Sequence, residues 1–380
     1  MNDTMQDRPY ITVMVPVYNG ENFLRQAVDS VLSQPCGDFE VLILDDGSTD
    51  RTREIGEAYA AQDNRVHFFT HENVGLGQNR NLGYPHVRGK WLIFLDHDDV
   101  MFPGVYTEEL RQALEKCEST GIEMIVNSRV RSNEQLGDLR FDRIPTNGIF
   151  PSHDPVSWKI PYELATNVYS ADLVLRNNIT FATTRPEMES IFRHQCAYLA
   201  NRVMFCNQGF IEIRRVSGSQ ITNNWNRMKM RAVRLAEYSK LPAWHKVHGD
   251  DSAAVSKAYE VLSGTIVDFF DAAARAGLPC EDIDKTLSEN AVRDDVLQPR
   301  AEYTKTARDV LRHYRAGRLG RIKADAILRG LVRVAKRRFA TSDQERGADL
   351  QWANEQFEEA AKRYPAAILG LIHGEAIGRK

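Results

Sequence analysis

Along the first hundred residues the hydrophobic positions fall into short unbroken runs, and each run ends on polar or acidic residues. Residues 10–17 are apolar and rich in β-branched side chains, with Pro16 near the end, where a missing N–H is tolerable. Residues 39–44 repeat the pattern and run into Asp45 and Asp46. Residues 66–69 form a shorter run. Residues 91–95 make a fourth run, which stops at Asp96-His97-Asp98-Asp99. Runs of this length without alternation predict strands buried on both faces. Between them the apolar spacing changes to a helical one, with Phe23, Leu24, Ala27, Val28, Val31 and Leu32 predicting a helix over 22–33. Ser48 or Asp50 is placed to cap a second helix reaching about residue 61. A polar, glycine-rich stretch, 71–81, precedes the fourth strand. Strands alternating with helices predict an α/β domain with a mainly parallel, mixed sheet.

In such sheets ligands bind outside the carboxyl ends of the strands. Two strands ending in acidic pairs would therefore bring Asp45, Asp46, Asp96, Asp98 and Asp99 to one crevice. Like charges that close need a positive partner. A hard divalent cation that takes one or two carboxylates and leaves its other positions to water and phosphate would supply it. An acidic turn that caps a helix is the plainer alternative for either pair.

Composition changes this picture little. The 380 residues, 42% hydrophobic and 27% charged, suit a protein of two domains. A net charge of -3 gives no global argument for nucleic acid or membrane. Five scattered cysteines contain no C-x-x-C pair, so no zinc or redox motif is expected and a reducing cytoplasm is. The polar N-terminus lacks the regions of a signal peptide, and no apolar run reaches the length of a membrane span.

Four blocks occur in order: Val15-Pro16-Val17-Tyr18-Asn19, then Asp45-Asp46-Gly47-Ser48-Thr49-Asp50, then Asn73, Gly75, Arg80, Asn81 and Gly83, then Leu95-Asp96-His97-Asp98-Asp99. Together they resemble the nucleotide-sugar-binding half of the family-2 inverting glycosyltransferases of the GT-A fold. The likeness is strong over residues 9–105 and weaker to about 222. It implies a nucleotide-sugar donor, a UDP-sugar first of all, and a divalent metal, Mn2+ or Mg2+. It implies that Asp45 and Asp46 contact the base and ribose. Pro16, Val17 and Tyr18 would line the nucleoside pocket, and Arg80 would lie near the base or diphosphate. Asp98 would hold the metal, and Asp96 the ribose or the metal. His97 is expected to be a spacer with its ring toward solvent.

Farther on, residues 108–118 predict an acidic, exposed helix and 122–130 one more strand. Residues 140–158 carry no period and are expected to be a long loop, with His153 and Asp154 as candidate acceptor contacts. Aligning Phe192 and Arg214 with the family pattern puts Glu189 at its general base, while Met188 stands where the family has a Glu. Glu187 is the alternative base. An inverting transfer needs such a group, because the attacking hydroxyl loses its proton as the new bond forms. Arg214 and Arg215 are candidates to close over the diphosphate, and Ser217-Gly218-Ser219 a candidate flexible lid.

From about residue 226 strand patterns give way to Ala, Leu, Arg, Lys and Glu. The expectation is a catalytic domain over 1–225 and an all-helical domain over 226–380, with helices at 226–239, 251–276, 281–290, 300–315, 319–340 and 346–363. Between Lys305 and Arg338 there are 12 Lys or Arg against Asp309 and Asp325. That basic amphipathic stretch, 305–340, fits peripheral contact with the inner face of a membrane, or a core-packed helix with a solvated face. No motif for nucleic acid accompanies it. The expected enzyme is a cytoplasmic hexosyl- or N-acetylhexosaminyl-transferase acting on a glycan, a lipid-linked acceptor or another surface polymer. A nucleotidyltransferase is disfavoured because Tyr18-Asn19-Gly20-Glu21 is not a basic glycine-rich loop. Met188 keeps a non-catalytic binding protein of the same fold as the third reading.

Overall fold

A computed structural model describes residues 8–133, 136, 140–144, 146–154, 164–182, 189–208 and 211–214, with scattered helical residues between 231 and 269. The described residues fall into two compact units, the larger carrying both sheets and the smaller Glu189–Ile191 together with the helical residues from Arg231 onward.

The larger unit opens with β1 (Ile11–Val17), α1 (Leu24–Leu32), β2 (Phe39–Asp45), α2 (Thr52–Gln62), β3 (Val66–Thr70), α3 (Leu76–Gly83) and β4 (Trp91–Phe94). It continues with β5 (Val100–Met101), α4 (Glu108–Ser119), β6 (Ile122–Asn127), β7 (Arg129–Ser132), β8 (Arg140–Asp142) and β9 (Gly148–Pro151). Then come β10 (Val168–Ser170), α5 (Ala171–Arg176), α6 (Ser190–Leu199), β11 (Arg202–Cys206) and β12 (Ile211–Arg214). Eight strands make one sheet in the order β3-β2-β1-β4-β10-β6-β11-β9. β1, β2, β3 and β4 pair in parallel, as do β6 and β11, while β10 and β9 run antiparallel to their neighbours.

The unbroken apolar runs have a direct cause. Successive side chains of a strand point to opposite faces, and here both faces are covered. Ile11, Val13, Val15 and Val17 join one core with Val41, Ile43 and Ile93. Met14 joins a second core with Leu42, Leu44, Leu92 and Phe94. Burying each such side chain contributes about 1.5–3 kcal/mol, so the strand ends, not the strands, are left for chemistry.

Several expectations change. The run 122–130 is not one strand. It breaks at Ser128, whose N–H donates to the carbonyls of Cys206 and Gln208. β6 stays in the large sheet, and β7 enters a second sheet ordered β5-β12-β7-β8. The stretch 140–158 is not all loop either. β8 pairs with β7 and β9 with β11, short strands whose ladders come from distant partners rather than from their own period. α4 is exposed on one face only, since Leu110, Ala113, Leu114 and Cys117 are buried. In the smaller unit a helix, α7 (Leu241–His248), occupies a stretch expected to be a break. Its proline is the second residue, where the missing N–H would have had no helical partner. Among the described residues no helix is long and apolar enough to cross a membrane. The helices expected beyond 280, with the basic stretch 305–340, lie outside the described residues.

Candidate active site

The chain runs from β1 through β2 to β3 on one side, then returns to place β4 on the other side of β1. The switch in direction therefore lies between β1 and β4, where sheets of this kind take ligands. The carboxyl ends there are tied together. Val17 is level with Asp45, Asp46 N–H donates to the Val17 carbonyl, and Leu95 N–H donates to the Met14 carbonyl.

The loop after β1 is fastened to the loop after β2. Asn19, at a φ of 53°, donates its N–H to Ser48 Oγ at 2.9 Å, and its Oδ1 accepts from Thr49 N–H at 2.8 Å. Gly20 N–H donates to Thr52 Oγ1 at 2.8 Å and Glu21 N–H to Asp50 Oδ2 at 3.1 Å. Partial burial pushes the Asp50 carboxyl up, but hydrogen bonds from the Thr52 hydroxyl, Thr52 N–H and Glu21 N–H outweigh it and hold the group below its ordinary value. On this platform Tyr18 stands 47% exposed, an aromatic face at the mouth of the switch, while Val17 is buried in the core and Pro16 continues the strand.

The acidic pair after β2 is mostly committed to the protein. Asp45 is buried, and its carboxylate accepts from Ser48 N–H at 3.1 Å and the Thr70 hydroxyl at 2.8 Å. Asp46 is buried too, and it accepts Val74 N–H at 2.7 Å and Gly75 N–H at 2.9 Å, one on each oxygen. Gly75 has a φ of 97°, which a side chain would resist. Asp46 thus holds the turn into α3.

α3 carries the positive partner that the acidic cluster needs. Arg80 is fully buried, and its Nη2 donates to Asp96 Oδ1 at 2.7 Å. Its guanidinium lies 5.1 Å from the Phe181 ring centre and 5.8 Å from that of Phe94. Arg80 therefore faces Asp96 from inside the protein. After β4 the chain turns sharply, with Asp99 N–H donating to the Asp96 carbonyl at 2.9 Å. Asp99 is buried, whereas Asp98 is half-buried, and among the described residues its carboxylate takes no hydrogen bond or ion pair. His97 departs from expectation. Its ring packs over Gly20, where an added Cβ would lie 2.6 Å from the ring Cδ2. The imidazole is a wedge between the β1 and β4 loops.

Among the described residues no group of three His, Cys, Asp or Glu converges. Asp96 keeps 39% of its side chain exposed beside the free Asp98. Hard carboxylate oxygens, one or two in number, fit a cation whose remaining ligands are water and substrate phosphate.

Glu189 is half-buried and immediately precedes α6. Arg214 ends β12, and only its backbone is described. Glu187, Met188, Arg215 and the 217–219 lid candidate lie outside the described residues. His153 sits in a turn at a φ of 63° and stacks on Tyr198 at 4.3 Å. Sequence reasoning gave no role to Asn79 and Asn81. Asn79 Nδ2 donates to the Leu44 carbonyl at 2.8 Å, and Asn81 clasps the backbone of Phe181. Their spacing beside Arg80 was visible, but their partners are distant in the chain.

Residues 12–166 match the model of glycosyl transferase family 2. The chain carries a family 2 glycosyltransferase domain. Curated relatives agree. GlyG of Streptococcus pneumoniae is 27% identical over 222 residues, covering 55% of this chain and 72% of GlyG. GlyA of the same organism is 42% identical over 89 residues, and EpsJ of Bacillus subtilis 37% identical over 107. The match to GlyA covers 23% of this chain and 13% of GlyA; that to EpsJ covers 27% and 31%. The chain thus spans less than a third of the length of either. Among solved structures, S. aureus TarS 1–349 in complex with UDP-GlcNAc superposes with a TM-score of 0.57 at 17% identity, covering 86% of this chain and 91% of that one. That likeness establishes the GT-A fold of the glycosyltransferase domain.

Proposed function

We propose that the domain transfers a sugar from a nucleotide-sugar donor, a UDP-sugar first of all, to a hydroxyl of a glycan, lipid-linked or other surface-polymer acceptor, with inversion. The observation that carries this reading is the division of labour among the carboxylates at the switch point. Asp45, Asp46 and Asp96 are braced by the protein, while Asp98 is half-buried and uncommitted. The UDP-GlcNAc held by the TarS neighbour supports uridine as the base.

In this reading Tyr18, beside Pro16 and Val17, offers a face to the nucleoside. Asp45 and Asp46 receive base and ribose hydrogen bonds on their remaining lone pairs. Asp98, with Asp96, would hold Mn2+ or Mg2+, which when bound neutralises charge on the leaving diphosphate. Arg80 holds Asp96 aimed. Glu189 takes the proton of the acceptor hydroxyl, with Glu187 as the alternative. The acceptor oxygen bonds to the anomeric carbon as the bond to the diphosphate breaks, and the electron pair leaves with the nucleotide. Arg214 and Arg215 cover the diphosphate. The segment from 226 onward we assign to acceptor recognition, with 305–340 as its membrane-facing option.

A thermal-shift screen of nucleotide sugars with and without Mn2+ tests the donor. A ligand at a hundredfold its Kd adds about 2.7 kcal/mol to the native state. A metal-dependent upward shift with UDP-sugars is expected. A shift with nucleoside triphosphates alone would instead favour a nucleotidyltransferase.

A further inference from the structure

Resting on the proposed transfer with Glu189 as its base, we infer that Asn81 is a positioning residue that fixes the start of α6, the helix that Glu189 immediately precedes. Asn81 is half-buried on α3, and one carboxamide holds both backbone groups of a single distant residue. Its Nδ2 donates to the Phe181 carbonyl at 3.0 Å, and Phe181 N–H donates to its Oδ1 at 2.9 Å. A carboxamide donates from its Nδ2 and accepts on its Oδ1 at the same time, and Asn has a shorter reach than Gln.

Phe181, so held, is a platform. Its ring lies parallel to that of Phe192, with centres 4.0 Å apart and an interplanar angle of 10°. Both rings meet Phe94 edge-on, at 5.2 and 5.6 Å, and Tyr169 meets Phe192 edge-on at 5.5 Å. Phe192 is 1% exposed and is the third residue of α6. Glu189 precedes it by three residues, close to one helical turn. Close-packed rings have few alternative positions, so the place of Phe192 sets the place of that turn. The same segment of α3 sends Arg80 over Phe181 to Asp96. Adjacent residues, Arg80 and Asn81, therefore brace the donor carboxylate and the helix of the base from one helix.

The test uses Asn81→Ala in the full chain, with hydrogen exchange across 190–199, donor binding and transfer kinetics as readouts. Exchange in α6 is expected to quicken at least tenfold while β1 and β2 keep wild-type protection. The kcat is expected to fall at least tenfold, with the donor Kd changed less than threefold. Phe192→Leu, which keeps an apolar side chain but removes the ring face, is expected to move both readouts the same way and decides the matter if Asn81→Ala does not fold. Wild-type exchange in α6, or uniform quickening across the sheet, would overturn the assignment. So would weaker donor binding with kcat intact. If the wild-type chain transfers no sugar, the transferase reading falls, and the exchange arm still decides whether Asn81 sets α6.

Discussion

Replacing Asp96 and replacing Arg80 break the same ion pair, yet the two changes should cost different amounts. The Arg80 side chain is 1% exposed and the Asp96 side chain 39% exposed. Asp96→Asn takes away the carboxylate to which the buried Arg80 Nη2 donates. Breaking a fully buried pair costs about 3–5 kcal/mol, and an exposed one about 0–1. With one partner buried and the other half open, Asp96→Asn is expected to cost about 2–3 kcal/mol. Arg80→Met removes the buried charge itself, keeps an unbranched chain between Phe94 and Phe181, and leaves a carboxylate that water can reach. Its expected cost is about 1 kcal/mol. The double variant should then lie close to Arg80→Met alone, with a coupling of about 2 kcal/mol. Urea unfolding followed by tryptophan fluorescence, read as a midpoint change at constant m-value, measures all three. Trp91 on β4 is buried in the same sheet and reports on it. If Arg80→Met proves costlier than Asp96→Asn, or if the two costs simply add, the pair is not the buried brace described here.

Three further outcomes follow from the same geometry. Gly20→Ala would place a Cβ 2.5 Å from Val17 Cγ2 and 2.6 Å from His97 Cδ2. It should cost about 1–3 kcal/mol, and adding His97→Ala should recover part of that loss in a urea double-mutant cycle. Asp46→Ala frees the Val74 and Gly75 N–H groups. It should cost about 2–3 kcal/mol, with faster amide exchange at 73–76. Asp50 titrates below its ordinary 3.8 in the folded chain. Its contribution is then fully present above that value and lost as pH falls below it, so the stability gap between wild type and Asp50→Asn should close in acid. A gap that widens below pH 4 would reverse the sign of the argument.

The parallel half of the sheet is legible because strands buried on two faces are apolar along most of their length, as residues 13–17 and 41–44 are. The carboxylates at their ends could be found because a polar residue directly after such a run has only the strand end to occupy. What escaped was set by partners far along the chain. β8 and β9 have no period of their own and exist through β7 and β11. The split at Ser128 depends on carbonyls nearly eighty positions away. His97 looked like a spacer because nothing in Asp-His-Asp says that Gly20 will lie beneath it. Arg80 is expected near the base or diphosphate, and its burial against Phe94 and Phe181 cannot be read from α3 alone. Site roles read from single residues were less complete than strand ends read from runs.

We propose, above all, that Asp98 serves a metal-dependent sugar transfer at the carboxyl ends of β1 and β4. Release of nucleoside diphosphate from a panel of nucleotide sugars, with Mn2+ or with EDTA, tests it most directly in the wild type and Asp98→Ala. The expected result is release from a UDP-sugar by the wild type with Mn2+, abolished by EDTA and reduced at least a hundredfold in an Asp98→Ala protein whose urea midpoint is unchanged. Full release by Asp98→Ala, or no release from any sugar nucleotide by the wild type, would contradict it.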